Sequence, residues 1–124
     1  MNVIMDEEAL DQNELKKAIV ALLDEGSYDF DVDRADDRIT KTQMFIDEFD
    51  DPSEVDAIIL EIATKSPARS YCWTHPKHPG ERKAISFTRY SAIYKNNVYV
   101  KFYFEHNRTQ EYLIVDIHHV NEFF

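Results

Sequence analysis

The sequence predicts an α+β fold, in which N-terminal helices pack on one face of a C-terminal antiparallel sheet of about four strands. Apolar residues recur at helical spacing through the first half of the chain, and β-branched and aromatic residues alternate through the second half. The change of texture follows Pro67. A chain of 124 residues suits one compact domain. We therefore expect a single domain, with a helical part at 1–66 and a sheet part at 67–124.

The first helix is predicted between residues 6 and 25, with Gly26 as its stop signal. Its apolar positions recur at helical spacing and are Leu15, Ala18, Ile19 and Leu22. The next stretch, SYDFDVDRADD, contains five aspartates and has no sustained period. This composition predicts an acidic loop.

The second helix begins at a capping signal. Thr40 is the predicted cap and Gln43 reaches back to it, while Ile39 and Met44 occupy the positions of a hydrophobic staple. We expect this short helix to end near Phe49.

The third helix has the clearest start, with Asp51 as cap, Pro52 at the first helical position and Glu54 at the capping-box position. It should end near Lys65, because Pro67 disfavours helix at the residue before it. Its apolar face is formed by Val55, Ile58, Ile59 and Ile62.

Four strands are predicted in the second half, at SYCWT, AISFTRY, VYVKFYF and EYLIVDIHHV. HPKHPGERK reads as a loop, Asn96 and Asn97 as a turn, and EHNRTQ as a hairpin loop. If the last two strands form a hairpin, alternation separates an apolar face from an aromatic and basic face. The second face is expected to carry Tyr99, Lys101, Tyr103, Tyr112, Ile114, Asp116 and His118.

The two adjacent histidines of the last strand must point to opposite faces. His118 is expected on the open face, with Asp116 close enough to orient its ring, and this makes it the candidate for proton transfer. A histidine beside an aspartate at a strand end is more often a solvated surface residue. His119 is expected to plug the edge of the core or to bond a backbone carbonyl.

Charge is unevenly distributed along the chain, whose net charge is −10. Residues 1–63 hold 19 Asp and Glu against 5 Lys and Arg, whereas residues 64–124 hold 5 against 9. The second half is therefore basic, which is compatible with phosphate binding. No apolar stretch is long enough to span a bilayer, the first residues are acidic where a signal peptide is basic, and Cys72 is the single cysteine. These features predict a cytoplasmic protein.

A zinc site is conceivable because Cys72, His75 and His78 have C-x-x-H-x-x-H spacing and His118 could be a fourth ligand. Structural zinc sites usually contain a second thiolate, and the prolines of this stretch suit a plain loop equally well. We expect no metal and no other cofactor, and Cys72 is expected as a small core residue.

The chain resembles the motility quorum-sensing regulator (MqsR) toxins of the RelE-like endoribonuclease superfamily in the order of its parts. The segments that carry the resemblance are ITKTQMFID, ISFTRYSAIYKNNVYVKFYF and EYLIVDIHH. The likeness covers roughly residues 38–118 and is best in NVYVK and LIVDIH. The functional tyrosine and terminal basic residue of that family correspond to Tyr99 and His118. The family's glutamine falls at Ser86, its upstream lysine has Lys65 and Arg69 as candidates, and histidine replaces its terminal lysine.

The resemblance implies cleavage of single-stranded messenger RNA by attack of a ribose 2′-hydroxyl on the adjacent phosphate, a route that needs no metal. On this basis we expect His118 to be the general base or acid and Tyr99 to assist proton transfer or position the phosphate. The charge of the phosphate is expected to be neutralised by Lys101, Arg89 and Arg69. An antitoxin is the expected protein partner. Further RNA contacts are expected from Arg69, Arg89, Tyr103 and Tyr112.

A second hypothesis starts from the acidic first half, which repels a polyanion unless it lies away from the site. An alternative is that this acidic half folds over the basic face as an inhibitor. In this hypothesis the chain is a non-enzymatic immunity or inhibitor protein that binds a basic nuclease or mimics nucleic acid. The acidic loop from Tyr28 to Asp37 is then the binding surface, and His118 has no role.

Overall fold

A computed structural model describes residues 10–32, 40–74 and 83–120 and shows the predicted α+β layout. The helical elements precede most of the sheet. Three α-helices are described: α1 (Gln12–Asp24), α2 (Lys41–Ile46) and α3 (Ser53–Lys65). The strands are β1 (Tyr28–Phe30), β2 (Trp73–Thr74), β3 (Ala84–Ser91), β4 (Asn96–His106) and β5 (Glu111–His119).

Within the described residues the sheet has five strands in the order β1-β5-β4-β3-β2, one more than expected. The additional strand, β1, lies in the stretch predicted to be an acidic loop and pairs parallel to β5. Tyr28 and Phe30 are partly buried against the core, while Asp29 between them is exposed. This three-residue alternation is too short to recognise as a period among the surrounding aspartates.

Helix α1 begins at Gln12, because Asp11 caps it and forms a reciprocal capping box with Glu14. The predicted start at residue 6 lies outside the described residues. Gly26 ends the helix as expected, with a φ of 77° that residues other than glycine rarely adopt. The buried face is formed by Leu15, Ile19 and Leu23. Ala18 and Leu22, which were expected on this face, are only partly buried.

The cap residue of α2 is the one that the sequence predicts, whereas α3 begins one residue later than expected. Thr40 caps α2 as predicted, by accepting a hydrogen bond from the Gln43 amide. The Gln43 side chain does not reach back to it but bonds Asp47, and α2 ends at Ile46 and not near Phe49. The expected cap of α3 is wrong by one residue, because the helix begins at Ser53 with Pro52 at the cap position and no capping box forms with Glu54. Asp51 lies before the cap and accepts a hydrogen bond from the Ser53 amide at 3.0 Å. Ile39 of the expected staple lies outside the described residues, and its partner Met44 is 59% exposed.

The core lies between α1, α3 and one face of the central strands. The alternation predicted for the last two strands is confirmed, because six of their apolar side chains on one face are fully buried and Phe104 on the same face is partly buried. Burying each such side chain contributes roughly 1.5–3 kcal/mol. These sheet residues are Val98, Val100, Phe102, Leu113, Val115 and Ile117, and they meet Val55, Ile58, Ile59 and Ile62 of α3 in one cluster.

The connection between β3 and β4 lies earlier than predicted. Residues 92–95 make the turn, in which Lys95 has a φ of 61° and its amide bonds Ser91 O at 2.7 Å. The two asparagines, Asn96 and Asn97, are the first residues of β4. A lysine in the left-handed conformation gives no sequence signal comparable with asparagine or glycine. The turn was therefore predicted at the two asparagines that follow it.

Helix α2 covers the part of the β5 edge that the short β1 leaves unpaired. The buried Thr42 accepts a hydrogen bond from the Ile117 amide at 3.1 Å. This contact satisfies a backbone donor that would otherwise stay exposed at a sheet edge. None of the helices in the described part of the chain has the length and apolar character that crossing a membrane requires.

Candidate functional site

The face of the sheet opposite the core brings together the residues predicted for catalysis. In the β4–β5 register, Tyr99 lies opposite His118 and Lys101 opposite Asp116. Directly opposed residues of an antiparallel pair share a face and lie about 4.5–5.5 Å apart at Cβ. His118, Tyr99 and Lys101 therefore share one surface, which we call the open face.

The rings of Tyr99 and His118 stack, with centroids 4.6 Å apart and 23° between their planes. The Nδ1 atom of His118 lies 2.9 Å from the carbonyl oxygen of His119. Because a carbonyl only accepts hydrogen bonds, Nδ1 carries the proton. In the neutral ring this leaves the lone pair on Nε2, which has no hydrogen-bond partner among the described residues. The geometry supplies a basic nitrogen with a defined orientation.

Asp116 does not orient His118. Its carboxylate accepts a hydrogen bond from the Thr42 hydroxyl and lies 3.9 Å from Lys101 Nζ. Residues two positions apart on a strand are separated by roughly 6.8 Å, and Thr42 draws this carboxylate toward the edge of the sheet. Asp116 therefore positions Lys101, while the ring of His118 is oriented by a backbone carbonyl.

The arginines predicted to bind RNA do not join this surface. Arg89 lies opposite Val98, whose side chain is buried in the core. Because paired residues share a face, Arg89 lies on the face that the helices cover. Arg69 belongs to a short 3₁₀ turn, Ala68–Ser70, that packs against α1. The face of the sheet on which Arg89 lies could be determined only once the β3–β4 register was known.

The predicted tyrosines do lie on the open face. Tyr103 lies opposite Ile114, and Tyr112 lies opposite Glu105. Tyr90, on β3, is 62% exposed and shares the same face through its pairing with Asn97. The open face is thus rich in aromatic rings, which are the groups that stack on unpaired bases.

The described part of the open face is not basic, contrary to the expectation from the charge of the second half. Lys101 and His118 share it with the carboxylates of Asp29, Glu105 and Asp116. The other described cations of this half lie on α3, in turns and loops or on the helix side of the sheet. A single-stranded nucleic acid would gain more from ring stacking than from phosphate contacts on this surface.

His119 takes part in a second polar cluster, on the helix side of the sheet, that the sequence did not predict. It is not a core plug, since its side chain is 50% exposed. Its Nε2 contacts the Glu48 carboxylate, and its Nδ1 lies 3.0 Å from the Tyr94 hydroxyl. Glu48 and Tyr94 lie far from His119 in sequence, so no local pattern could have joined them.

Tyr94 is held as a neutral phenol in this cluster. Its hydroxyl donates to Glu48 Oε1 at 3.2 Å. Burial, together with the charge and the hydrogen bond of Glu48, raises the pKa of Tyr94 to about 12. Phe45 and Phe49 pack against its ring, with centroids at 5.0 and 5.8 Å.

The described residues contain no group of three or more His, Cys, Asp or Glu side chains that could hold a metal ion. His75 and His78 of the conceivable zinc site lie outside these residues. Cys72 is exposed, and its sulfur accepts from the Gln12 amide nitrogen at 2.9 Å. Cys72 precedes β2, and β2 is the third strand from β5 in the sheet. Since neighbouring strands lie about 4.8 Å apart, β2 and β5 are separated by roughly 14 Å. His118 therefore does not meet it as a fourth ligand.

Comparison with protein-family models, with curated proteins and with solved structures finds no significant match to this chain.

Proposed function

We propose that this protein is an endoribonuclease that cleaves single-stranded RNA by acid–base catalysis at the open face. The observation that supports this most directly is the stack of Tyr99 on His118 together with the hydrogen bond that places the His118 proton on Nδ1. A proton-transfer group needs a fixed orientation and an accessible lone pair. His118 Nε2 has both.

The reaction follows from the chemistry of these groups. His118 Nε2 removes the proton from a ribose 2′-hydroxyl, whose oxygen attacks the adjacent phosphorus and expels the 5′-oxygen of the next nucleotide. The products are a 2′,3′-cyclic phosphate and a 5′-hydroxyl, which takes up a proton. Lys101 stabilises the extra negative charge of the pentacoordinate phosphate. Tyr99 orients the base and, through its hydroxyl, positions the phosphate or protonates the leaving oxygen.

Substrate binding is expected to rely on the tyrosines of the open face. Base stacking on an aromatic side chain contributes about 1–3 kcal/mol per base and tolerates any base. Tyr103 and Tyr112 lie along the same two strands as His118. Bases are accessible to such rings only when they are unpaired, and this favours a single-stranded substrate.

The test combines growth and purified components. Induced expression should stop bacterial growth and degrade transcripts, and the purified protein should cut single-stranded RNA in the presence of a chelator. His118→Ala should lower cleavage by about 10²–10⁴-fold. His106→Ala, an exposed histidine at the other end of β4, is the matched control and should leave cleavage unchanged. Wild-type protein that leaves RNA intact would refute the proposal.

A second candidate function is favoured by the acidic surface of the helical layer. Several of its carboxylates are exposed, and such a surface suits a basic protein partner through charge complementarity. Among the described residues these carboxylates lie mainly on or beside the helices, and the start of the stretch from Tyr28 to Asp37 forms β1. The exposed carboxylates include Glu14, Asp24, Asp47, Glu54 and Asp56. Tight, salt-sensitive binding to a basic nuclease by a chain inert toward RNA would establish this function instead.

A further inference from the structure

His119 is the last residue of β5, and its side chain ties this strand end to two other elements. Glu48, just after α2, contacts its Nε2, and Tyr94, in the β3–β4 turn, contacts its Nδ1. Phe45 of α2 packs against the same ring with a centroid distance of 5.3 Å. These contacts hold the end of β5 from the helix side of the sheet.

The backbone of the same residue acts on the opposite face. The His119 carbonyl accepts the hydrogen bond of His118 Nδ1 at 2.9 Å. His119 pairs with Val98 on one side and ends β5 on the other, so its peptide group is held less firmly than one in the middle of the strand. A further restraint comes from the His119 side chain. The two faces of the sheet are thus mechanically linked through one residue.

We propose that Glu48 and Tyr94 are positioning residues, which hold His119 so that its carbonyl fixes the Nδ1–H tautomer of His118. Neither residue touches the open face. Their effect reaches the candidate base through the His119 backbone, and it determines which ring nitrogen carries the lone pair. The consequence for RNA cleavage rests on the proposed function, whereas the tautomer itself does not.

The tautomer can be measured directly by nuclear magnetic resonance of protein labelled with ¹⁵N at histidine, at a pH where the rings are neutral. Wild-type His118 should show protonated Nδ1 and unprotonated Nε2. Glu48→Ala and Tyr94→Phe should each shift His118 toward the Nε2–H form, and the double variant should shift it furthest. Tyr94→Phe keeps the ring packed on Phe45 and protects the fold if Glu48→Ala weakens it.

Two controls separate positioning from general destabilisation. Glu48→Gln keeps an oxygen acceptor for the His119 ring and should restore the wild-type tautomer. Asp50→Ala removes an exposed carboxylate two residues away and should have no effect on the tautomer. A wild-type His118 with protonated Nε2, or an unchanged tautomer in the folded double variant, would overturn the proposal.

Cleavage kinetics provide the second measurement. Where the wild-type protein cuts RNA, Glu48→Ala should lower kcat by about tenfold and leave KM unchanged, because the base is misplaced and the binding surface is intact. If the tautomer shifts as expected while the wild-type protein leaves RNA intact, the positioning role is supported and the proposed function fails. The two proposals therefore fail separately.

Discussion

Tyr99 lies directly opposite His118 in the β4–β5 register, and the two rings stack 4.6 Å apart at 23°. Tyr99 stands on β4, which is paired on both sides by β3 and β5. Its backbone is therefore held more firmly than that of an edge strand, and its ring is a rigid support for an imidazole near a strand end. Two kinds of substitution can separate what the ring and the hydroxyl contribute.

Tyr99→Phe keeps the stack and removes the hydroxyl, whereas Tyr99→Leu removes the ring. If the hydroxyl takes part in proton transfer or phosphate positioning, Phe should lower kcat about 10–100-fold. Leu should lower it further, because the His118 ring also loses its support. Single-turnover cleavage of a short RNA measures both variants. Equal rates for Phe and wild type would restrict Tyr99 to ring support.

Lys101 is the cation next to the candidate base on the open face, and Asp116 holds it at 3.9 Å. Lys101→Gln should weaken RNA binding and should reduce the slope of log K against log salt by about 0.7, the value for one phosphate contact on a single strand. Binding titrations at several salt concentrations measure the slope. Lys17→Gln on the exposed side of α1 is the control, and an identical slope in both variants would exclude Lys101 from phosphate binding.

Glu61 is a predicted determinant of stability and lies outside the site. Its side chain is 8% exposed and accepts hydrogen bonds from Ser91 Oγ and the Ala92 amide, both at 2.7 Å. Glu61→Gln should therefore lower the free energy of unfolding by roughly 1–3 kcal/mol. Glu54→Gln, at an exposed position of the same helix, should change it by much less. Urea unfolding monitored by circular dichroism measures both.

The same carboxyl group should make stability fall in acid. Burial raises the pKa of Glu61, but its bonds to Ser91 and Ala92 and the charge of Lys65 outweigh burial and hold the pKa below its ordinary value of 4.5. The stabilisation is therefore present above that value and is lost as pH falls through the lower folded pKa. The acid dependence should be shallower in Glu61→Gln, and an unchanged profile would contradict this assignment.

The raised pKa of Tyr94 predicts that the stability of the fold decreases at alkaline pH. Burial and Glu48 raise its pKa from 10.0 to about 12, so the folded state favours the protonated phenol. The stabilisation is complete below pH 10 and is lost as pH rises through about 12. Phenolate absorbance should show one late-titrating tyrosine fewer in Tyr94→Phe than in wild type. A titration of Tyr94 at its ordinary pKa would mean that the phenol is neither buried nor in contact with Glu48 in solution.

Local signals in the sequence located most of the elements. The capping residue Thr40, the apolar face of α3 and the alternation of β4 and β5 each depend on neighbours within a few residues. The structure confirms them for that reason. The strand β1 and the turn at Lys95 were missed, because the first depends on pairing with β5 and the second on a left-handed residue without a sequence signature.

The candidate site divides in the same way. The alternation of side chains along a strand, a property of the extended backbone, was enough to place His118 and His119 on opposite faces and to group Tyr99 with Lys101. Only the tertiary structure decided that Asp116 bonds Thr42, that Arg89 lies on the other face, and that Glu48 and Tyr94 meet His119. These contacts join segments far apart in the chain, and their partners are selected by strand register and helix packing, which no local pattern encodes.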